Sequence, residues 1–237
     1  MNFLELCQRG ATECGVSGTI STVAGNSGSQ ARIVNWIGDA WNDLQIKYDD
    51  WEWMRSSNIL GSGVSFATVA GQFSYPLGTG AGTVGVAADS FGKWDEYSFR
   101  VQTTTVGVQD ETFLDNILYD QWRNSYMLGA MRAVQTRPVA IAVGPDRSLN
   151  LGPPPNALYT VTGDYWVAPS AMEDDDDVPT GLPPQFHMLI VYGCMKKYAY
   201  YESAPEVLAS ADMQHKPMMD LLEKNRGAVM GWGGALA

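Results

Sequence analysis

The sequence predicts an α+β fold: a helical bundle formed by the N- and C-terminal segments, with an antiparallel β lobe, sandwich-like or barrel-like, inserted between them. Apolar residues recur at helical spacing near both ends of the chain, whereas they alternate with polar residues between about residues 55 and 170. Glycines separate the alternating runs, as is typical of strands joined by turns. Because an amphipathic helix has to bury its apolar stripe, we expect the terminal segments to pack on each other.

This pattern divides the 237 residues into four predicted parts. They are the N-terminal helices of the bundle in 1–54, the β lobe in 55–170 with a short helix near 116–131, the C-terminal helices of the bundle in 171–226, and an extended tail in 227–237. The tail is rich in glycine and cannot hold itself folded, so we expect it to bind a partner.

Two helices are predicted in the N-terminal part. The first covers residues 2–14 and ends at Gly15, since glycine suits the left-handed conformation of a helix C-cap. The second carries an apolar stripe from Ile33 to Tyr48, with Ser29 as its N-cap. The inward positions of the first helix are Phe3, Leu6, Cys7 and Cys14.

The second helix carries further apolar residues outside this stripe. Val34 and Trp36 lie on another face of the helix. A helix with two apolar faces packs against more than the core of its own chain. We therefore expect Val34 and Trp36 at an interface between subunits.

The predicted β lobe contains several alternating runs and one short helix, around residues 119–123. Three runs precede the helix, with apolar or threonine side chains at Val64, Phe66 and Thr68, at Phe73 and Tyr75, and at Tyr97, Phe99 and Val101. A hairpin is predicted where 139–143 and 148–151 flank a Gly-Pro-Asp-Arg turn. Residues 158–167 predict one further strand.

Prolines mark the starts of the C-terminal helices. Pro183 and Pro184 suit the first turn of a helix, where a missing N–H group costs nothing, and Pro205 can open the next helix in the same way. The helix after Pro184 is apolar almost all round, which predicts a central, buried position. Pro217 predicts a kink or a break in the last helix, 207–226.

The charge and the N-terminal residues exclude some classes of protein. The net charge is −11, so a surface that grips DNA phosphates by releasing counterions is not expected. The N-terminus has no basic region and carries Glu5 inside its apolar stretch, unlike a secretory signal. No apolar run approaches the roughly 20 residues of a membrane span. We therefore expect a soluble protein made in the cytosol.

The cysteines and histidines offer no recognisable catalytic or metal site. The three cysteines have no C-x-x-C spacing, so buried, inert thiols are expected. Of the two histidines, His187 is predicted to lie in a core or an interface and His215 to be exposed. We expect no catalytic residue, no cofactor and no resident metal.

Two local patterns have an ordinary structural explanation. Gly80, Gly82 and Gly85 spell G-x-G-x-x-G, but no strand–turn–helix context surrounds them, so a turn-rich loop is predicted. The run Asp174, Asp175, Asp176 and Asp177 lacks the glycine and the distal glutamate of an EF-hand loop. It could bind a cation, form a solvated loop in which Asp177 or Thr180 caps the following helix, or line an acidic rim of an assembly.

Aromatic residues are abundant. The chain contains eight Trp and eleven Tyr, residue types that are enriched at protein interfaces. Trp232 lies in the tail, where it has no core of its own to join. This position indicates an anchor for a binding pocket.

Taken in order along the chain, eight segments resemble the tailed-phage head-to-tail adaptor, or connector, proteins. They cover almost the whole sequence: residues 33–37 with Ala40 and Trp41, 50–54, 110–114, 119–123, 144–153, 159–165, 177–179 and 186–192.

The resemblance implies a ring of subunits, usually twelve, between the portal and the tail or nozzle. It implies assembly in the host cytoplasm, a place in the neck of the virion, and DNA that passes through without specific binding. It also implies a tail that reaches the portal. Here the expected contacts are Val229, Met230, Trp232 and Leu236, and the acidic run is expected to face the lumen or a neighbouring subunit.

Two other classes of function remain open at this stage. A tail-associated glycan hydrolase could use paired carboxylates such as Asp110 and Glu111, although nothing in the sequence ranks them as an acid/base pair. A glycan-binding β-sandwich module is the second alternative, against which the helical ends of the chain argue. The preferred expectation is a structural adaptor that is not an enzyme.

Overall fold

The computed structural model describes residues 1–57 and 59–226, and this part of the chain has the predicted α+β fold class. It divides into two compact units: a helical unit, made of residues 1–53 and 169–226, and a β unit, Met54–Ala168. The α-helices are α1 (Phe3–Glu13), α2 (Gly28–Ile46), α3 (Tyr119–Tyr126), α4 (Met188–Glu202) and α5 (Pro205–Arg226). All except α3 belong to the helical unit.

The boundaries of α1 follow from its capping residues. The Asn2 side chain accepts a hydrogen bond from the Glu5 amide at 2.8 Å, and the Glu5 carboxylate accepts one from the Asn2 amide at 3.0 Å. This reciprocal pair satisfies two amides that a helix start leaves without partners. The helix ends before Gly15, which has φ +67°. The predicted end of the first helix is thus confirmed.

The start of α2 differs from the prediction. The helix begins at Gly28 after Ser27, whose backbone is extended, so the prediction of Ser29 as N-cap is wrong. Gly28 has φ +61°, a conformation that glycine adopts without a steric penalty, and the chain therefore turns into the helix two residues earlier. The predicted apolar stripe is buried at Ile33, Ile37, Ala40, Trp41 and Leu44.

Helix α4 is the centre of the helical unit. It packs against α1, α2 and α5. Its buried residues lie on all sides of the helix: Leu189, Ile190, Val191, Tyr192, Cys194, Met195 and Ala199. A short 3-10 turn, Pro184–Phe186, leads into α4.

Helices α2 and α4 approach closely at two small residues. A Cβ atom added to Gly193 would lie 2.8 Å from the Cβ atom of Ala40, closer than two side-chain carbons can pack. Gly193 therefore has to lack a side chain for the two helices to keep this spacing. Gly38, also on α2, has open space at the same position.

Helix α5 runs through Pro217 as a single helix, so the predicted break is wrong. Proline removes one helical hydrogen bond and crowds the carbonyl group four residues earlier, here that of Met213. Both residues are exposed. Water can solvate the freed carbonyl group, and the buried stripe of α5 at Ala211, Met219 and Leu222 holds the helix against its neighbours.

The strands of the β unit are short. They are β1 (Arg55–Ser56), β2 (Val64–Ala67), β3 (Ser74–Tyr75), β4 (Phe91–Trp94), β5 (Arg100–Thr103), β6 (Thr112–Phe113), β7 (Asp115–Asn116), β8 (Ala140–Val143), β9 (Leu149–Gly152), β10 (Tyr159–Gly163) and β11 (Tyr165–Val167).

These strands form three sheets within the described residues. Their orders are β1-β11-β4, β2-β10-β5-β6 and β3-β9-β8-β7, and none is closed into a barrel. Every pair is antiparallel except β7 with β8. One hydrophobic cluster joins strands of all three sheets through Phe66, Trp94, Val101, Leu149 and Val161, among others. The three sheets therefore share a core, beside which Trp122, Met127 and Ala142 form a smaller cluster. The barrel-like form is wrong.

The two strand predictions near the end of the β unit had different outcomes. The predicted hairpin is present as β8 and β9, and the Asp146 carboxylate accepts a hydrogen bond from the Ser148 amide across the turn. The predicted single strand 158–167 is divided at Asp164 between β10 and β11, which belong to different sheets. The Asp164 carboxylate accepts a hydrogen bond from Arg55 there, at 3.1 Å.

We expect Gly193→Ala to destabilise the protein. The added methyl group forces α2 and α4 apart, and overpacking of this kind costs about 1–3 kcal/mol, which exceeds the gain of ~1 kcal/mol or less in helix propensity. The matched control is Gly38→Ala, which enters open space and should stabilise by about 0.5–1 kcal/mol. Urea unfolding measures both. Equal stability of the two variants would contradict the close-packing argument.

Candidate functional site

The acidic run folds into a turn that is stabilised by its own last residue. The Asp177 carboxylate accepts hydrogen bonds from the amides of Glu173, at 2.7 Å, and Asp174, at 2.9 Å. These bonds lower the pKa of Asp177 below its usual value. Asp177 therefore caps its own turn, and Thr180 donates to the Val178 carbonyl group at 3.4 Å. The prediction that either residue caps the following helix is wrong.

The same turn is attached to the N-terminal part of the helical unit. The Asp175 carboxylate accepts hydrogen bonds from the Val23 amide at 2.6 Å and the Thr22 hydroxyl group at 3.2 Å. Backbone bonds from Phe3 to Asp177 and from Leu4 to Asp175 add to this attachment. The turn thus holds the start of α1 and the loop before α2 together.

The four aspartates therefore differ in what they can do. Asp175 and Asp177 are half-buried and bonded within the protein, whereas Asp174 and Asp176 are exposed. The exposed pair is accessible from solvent. Within the described part of the chain, no three His, Cys, Asp or Glu side chains are arranged as a metal site requires.

Val34 and Trp36 are half-buried on the surface of α2. The Trp36 ring packs against Tyr201, with ring centroids 5.6 Å apart, and edge-on against Tyr198 at 6.3 Å. The Arg32 guanidinium lies 4.4 Å from the centroid of the Tyr201 ring. This cluster of rings leaves part of Trp36 accessible to a partner.

Helix α5 carries an exposed apolar stripe in addition to its buried one, and this exposed stripe was not predicted from the sequence. Met213 is 77% exposed and Leu221 is 56% exposed, and the exposed Pro217 lies between them. The three residues recur every four positions, so they share one face of the helix. This spacing is visible in the sequence, but the proline suggested a break that would have ended the pattern.

The predicted portal contacts in the tail, Val229, Met230, Trp232 and Leu236, lie outside the described residues. Their role stays a prediction.

The cysteines are buried and free, as predicted. Burial raises the pKa of Cys7 to about 12. A hydrogen bond with Cys14, together with burial, raises the pKa of Cys194 above its usual value. Cys7 and Cys194 therefore stay protonated at neutral pH, and a protonated thiol is a poor nucleophile.

The two histidines have different surroundings. His187 is buried, where Nε2 donates to the Leu182 carbonyl group at 3.1 Å, and burial lowers its pKa. The prediction that His215 is exposed is wrong, because it is half-buried on α5. Burial, with the nearby charges of Lys196 and Lys47, lowers the pKa of His215 to about 4. Both histidines are neutral at pH 7.

The carboxylates considered for catalysis are held in ion pairs. The Asp110 carboxylate binds Arg137 Nη1 through both oxygens, at 2.7 and 2.8 Å, and Glu111 binds Arg100 at 3.2 Å. Hydrogen bonds from Thr103 and Arg137 lower the pKa of Asp110 to about 2. A general acid in glycoside hydrolysis needs a raised pKa. Asp110 is therefore unsuited to that role.

The glycine-rich segment forms a closed loop in the β unit. Gly78 and Val86 pair across its base, and Gly82 and Gly85 have positive φ values. The chain then continues into strand β4. A dinucleotide fingerprint needs a helix at this point, so the loop has a different structure from that motif.

The comparison with protein families agrees with the resemblance noted in the sequence. The profile of the SU10 adaptor protein family matches residues 1–229. The chain belongs to this family. The family match confirms the resemblance to phage head-to-tail adaptors. No curated protein gives a significant match.

Membership of the SU10 adaptor protein family makes this chain a structural component of a phage virion that interacts with other phage structural proteins. In residues 1–57 and 59–226, no helix has both the length and the apolar character that crossing a membrane requires. Of the four predicted tail contacts, only Val229 lies inside the family match.

We expect Asp175→Ala to destabilise the helical unit. The substitution leaves the Val23 amide without its acceptor, and losing a partner of a partly buried group costs about 1–2 kcal/mol. Asp176→Ala removes an exposed carboxylate and is the matched control, with an expected change within about 0.5 kcal/mol. Thermal and urea unfolding of both variants measure the change in the free energy of unfolding. Similar losses in the two variants would contradict the assigned anchoring role.

Proposed function

We propose that this protein forms a ring of twelve subunits in the neck of the virion. The ring joins the portal to the tail or nozzle and lets DNA pass. The family match over residues 1–229 carries this proposal. Such a ring would assemble in the host cytoplasm from free subunits.

Two surfaces of the helical unit suit contacts between subunits. The first is the accessible part of Trp36 with Val34, supported by the aromatic cluster around Tyr201. The second is the exposed stripe of α5, Met213, Pro217 and Leu221. Aromatic and methionine side chains are enriched at interfaces, and both surfaces provide them.

The exposed acids support passage of DNA without capture. With a net charge of −11, the subunit has a surface that repels phosphates, and repulsion prevents the many small attractions that would trap a moving duplex. We assign Asp174 and Asp176 to the lumen or to a subunit boundary, because Asp175 and Asp177 are bonded within the protein.

The tail is the part that we assign to portal binding. Val229, Met230, Trp232 and Leu236 provide four apolar side chains within a short segment. Burial of large apolar side chains contributes about 1.5–3 kcal/mol each, so a few of them can anchor a subunit. The ion-paired state of Asp110 and Glu111 gives the alternative hydrolase no comparable support.

Electron microscopy of the protein mixed with its portal tests the ring and the tail together. We expect full-length protein to give rings bound to the portal, with Trp36 at a subunit boundary. A variant in which residues 228–237 are replaced by a Gly/Ser linker of equal length should still unfold cooperatively but lose portal binding in pull-down. Unchanged portal binding by the linker variant would refute the docking role of the tail. Isolated subunits in the portal mixture would refute the ring.

The lumen assignment has its own test. Asp174→Asn with Asp176→Asn should slow DNA ejection from assembled phage without impairing assembly, because the passing phosphates lose two repulsive charges. The matched control removes two exposed acids of the β unit, Asp89→Asn with Asp115→Asn. Ejection kinetics measured by dye uptake should change only for the first pair. Equal kinetics for the two pairs would remove the lumen assignment.

A further inference from the structure

A groove of about 370 Å³ lies between α2, α4 and α5 in the helical unit. Its floor is apolar, formed by Ala40, Leu44, Leu189 and Met219, which are buried beneath it. Gly193 also lines the groove. Pockets of about 300–1,000 Å³ typically hold small ligands, so this groove is of a size for one or two large side chains.

Each lysine on the rim of the groove forms an ion pair with a carboxylate. Lys47 pairs with Glu223 at 2.7 Å, Lys196 with Asp212 at 2.9 Å, and Lys197 with Asp43 at 2.8 Å.

His215 also lines the groove, and its lowered pKa keeps it neutral at pH 7. The lining therefore has little net charge. An uncharged apolar segment complements such a groove better than an acidic or basic one.

The tail is such a segment. Residues 227–237 contain no charged side chain, although the chain as a whole has 26 acids and 15 bases. The segment carries one large aromatic residue, Trp232, whose exposure to water is unfavourable. Gly227, Gly231 and Gly233 permit the chain to reverse direction near it.

The tail begins within reach of the groove. The pair of Lys47 and Glu223 places the last turns of α5 beside the end of α2. Met219 precedes Arg226 by seven helical residues, or roughly 10 Å. Trp232 follows Arg226 by six residues, which extend to roughly 20 Å. A tail that turns back after Arg226 can therefore bring Trp232 to the groove.

We propose that, in the free subunit, the tail folds back along α5 and places Trp232 in the groove between α2, α4 and α5. The contact shields the apolar tail from water until a partner protein binds the tail and displaces it from the groove. This inference concerns the isolated subunit and goes beyond the proposed adaptor function, since it requires neither ring nor portal.

Cysteine cross-linking in the full chain tests the contact. One variant combines Asp43→Cys, on the rim of the groove, with Gly233→Cys in the tail. The matched control combines Asp220→Cys with Gly233→Cys. Asp220 is exposed on α5 and nearer to the tail in sequence, and each variant removes one carboxylate. The native cysteines are buried and should not interfere.

Under mild oxidation we expect the groove variant to form its intramolecular disulfide roughly tenfold faster than the control, because a docked tail spends most of its time at the groove. Adding Trp232→Ala should abolish the difference. Equal rates in the two variants overturn the proposal. Dimers that increase with protein concentration also overturn it, since the groove would then bind the tail of a second copy.

A second measurement avoids the tail cysteine. Maleimide labelling of Asp43→Cys alone should be slower in the natural chain than in the chain with the Gly/Ser linker at residues 228–237, whereas labelling of Asp220→Cys should be equal in both. Equal labelling of Asp43→Cys in the two chains overturns the proposal. Portal pull-down of Asp43→Cys alone separates this inference from the proposed function, because the substitution alters the rim of the groove and leaves the four assigned portal contacts unchanged.

Discussion

The close approach of α2 and α4 at Ala40 and Gly193 is the constraint on which the helical unit depends. It brings the apolar stripe of α2 against the most buried helix of the unit, and both residues also line the groove between α2, α4 and α5. A larger residue at Gly193 would force the two helices apart. The same pair of residues thus takes part in the packing of the unit and in the wall of the groove.

Local patterns predicted the parts of the fold in which local and long-range preferences agree. The stripe from Ile33 to Leu44, the left-handed Gly15 and the hairpin around Asp146 are examples. The predictions that were wrong depended on surroundings that a single segment does not reveal. Pro217 is tolerated because its face of α5 is exposed, and the strand at 158–167 divides at Asp164, whose carboxylate binds Arg55.

The candidate site was predicted by composition more than by geometry. The acidic run is evident in the sequence, but its division into two bonded and two exposed carboxylates is not, because the Asp175 carboxylate binds the amide of Val23, more than 150 residues away, and Asp177 binds amides within its own turn. The groove was not predicted, because its walls come from three helices that are distant in sequence. The family resemblance covered what local patterns could not, since it depended on the order of many weak segments.

The position of α4 in the chain has a consequence for synthesis on the ribosome. Helices α1 and α2 are complete by Ile46, yet the helix against which they pack ends at Glu202. At translation rates of about 5–20 residues per second, the apolar faces of α1 and α2 remain without α4 for on the order of ten seconds. The β unit is translated during this interval, and all residues of its hydrophobic core belong to the β unit itself. The apolar faces of α1 and α2 are therefore exposed on the nascent chain until α4 has been translated, and chaperones can bind them during that interval.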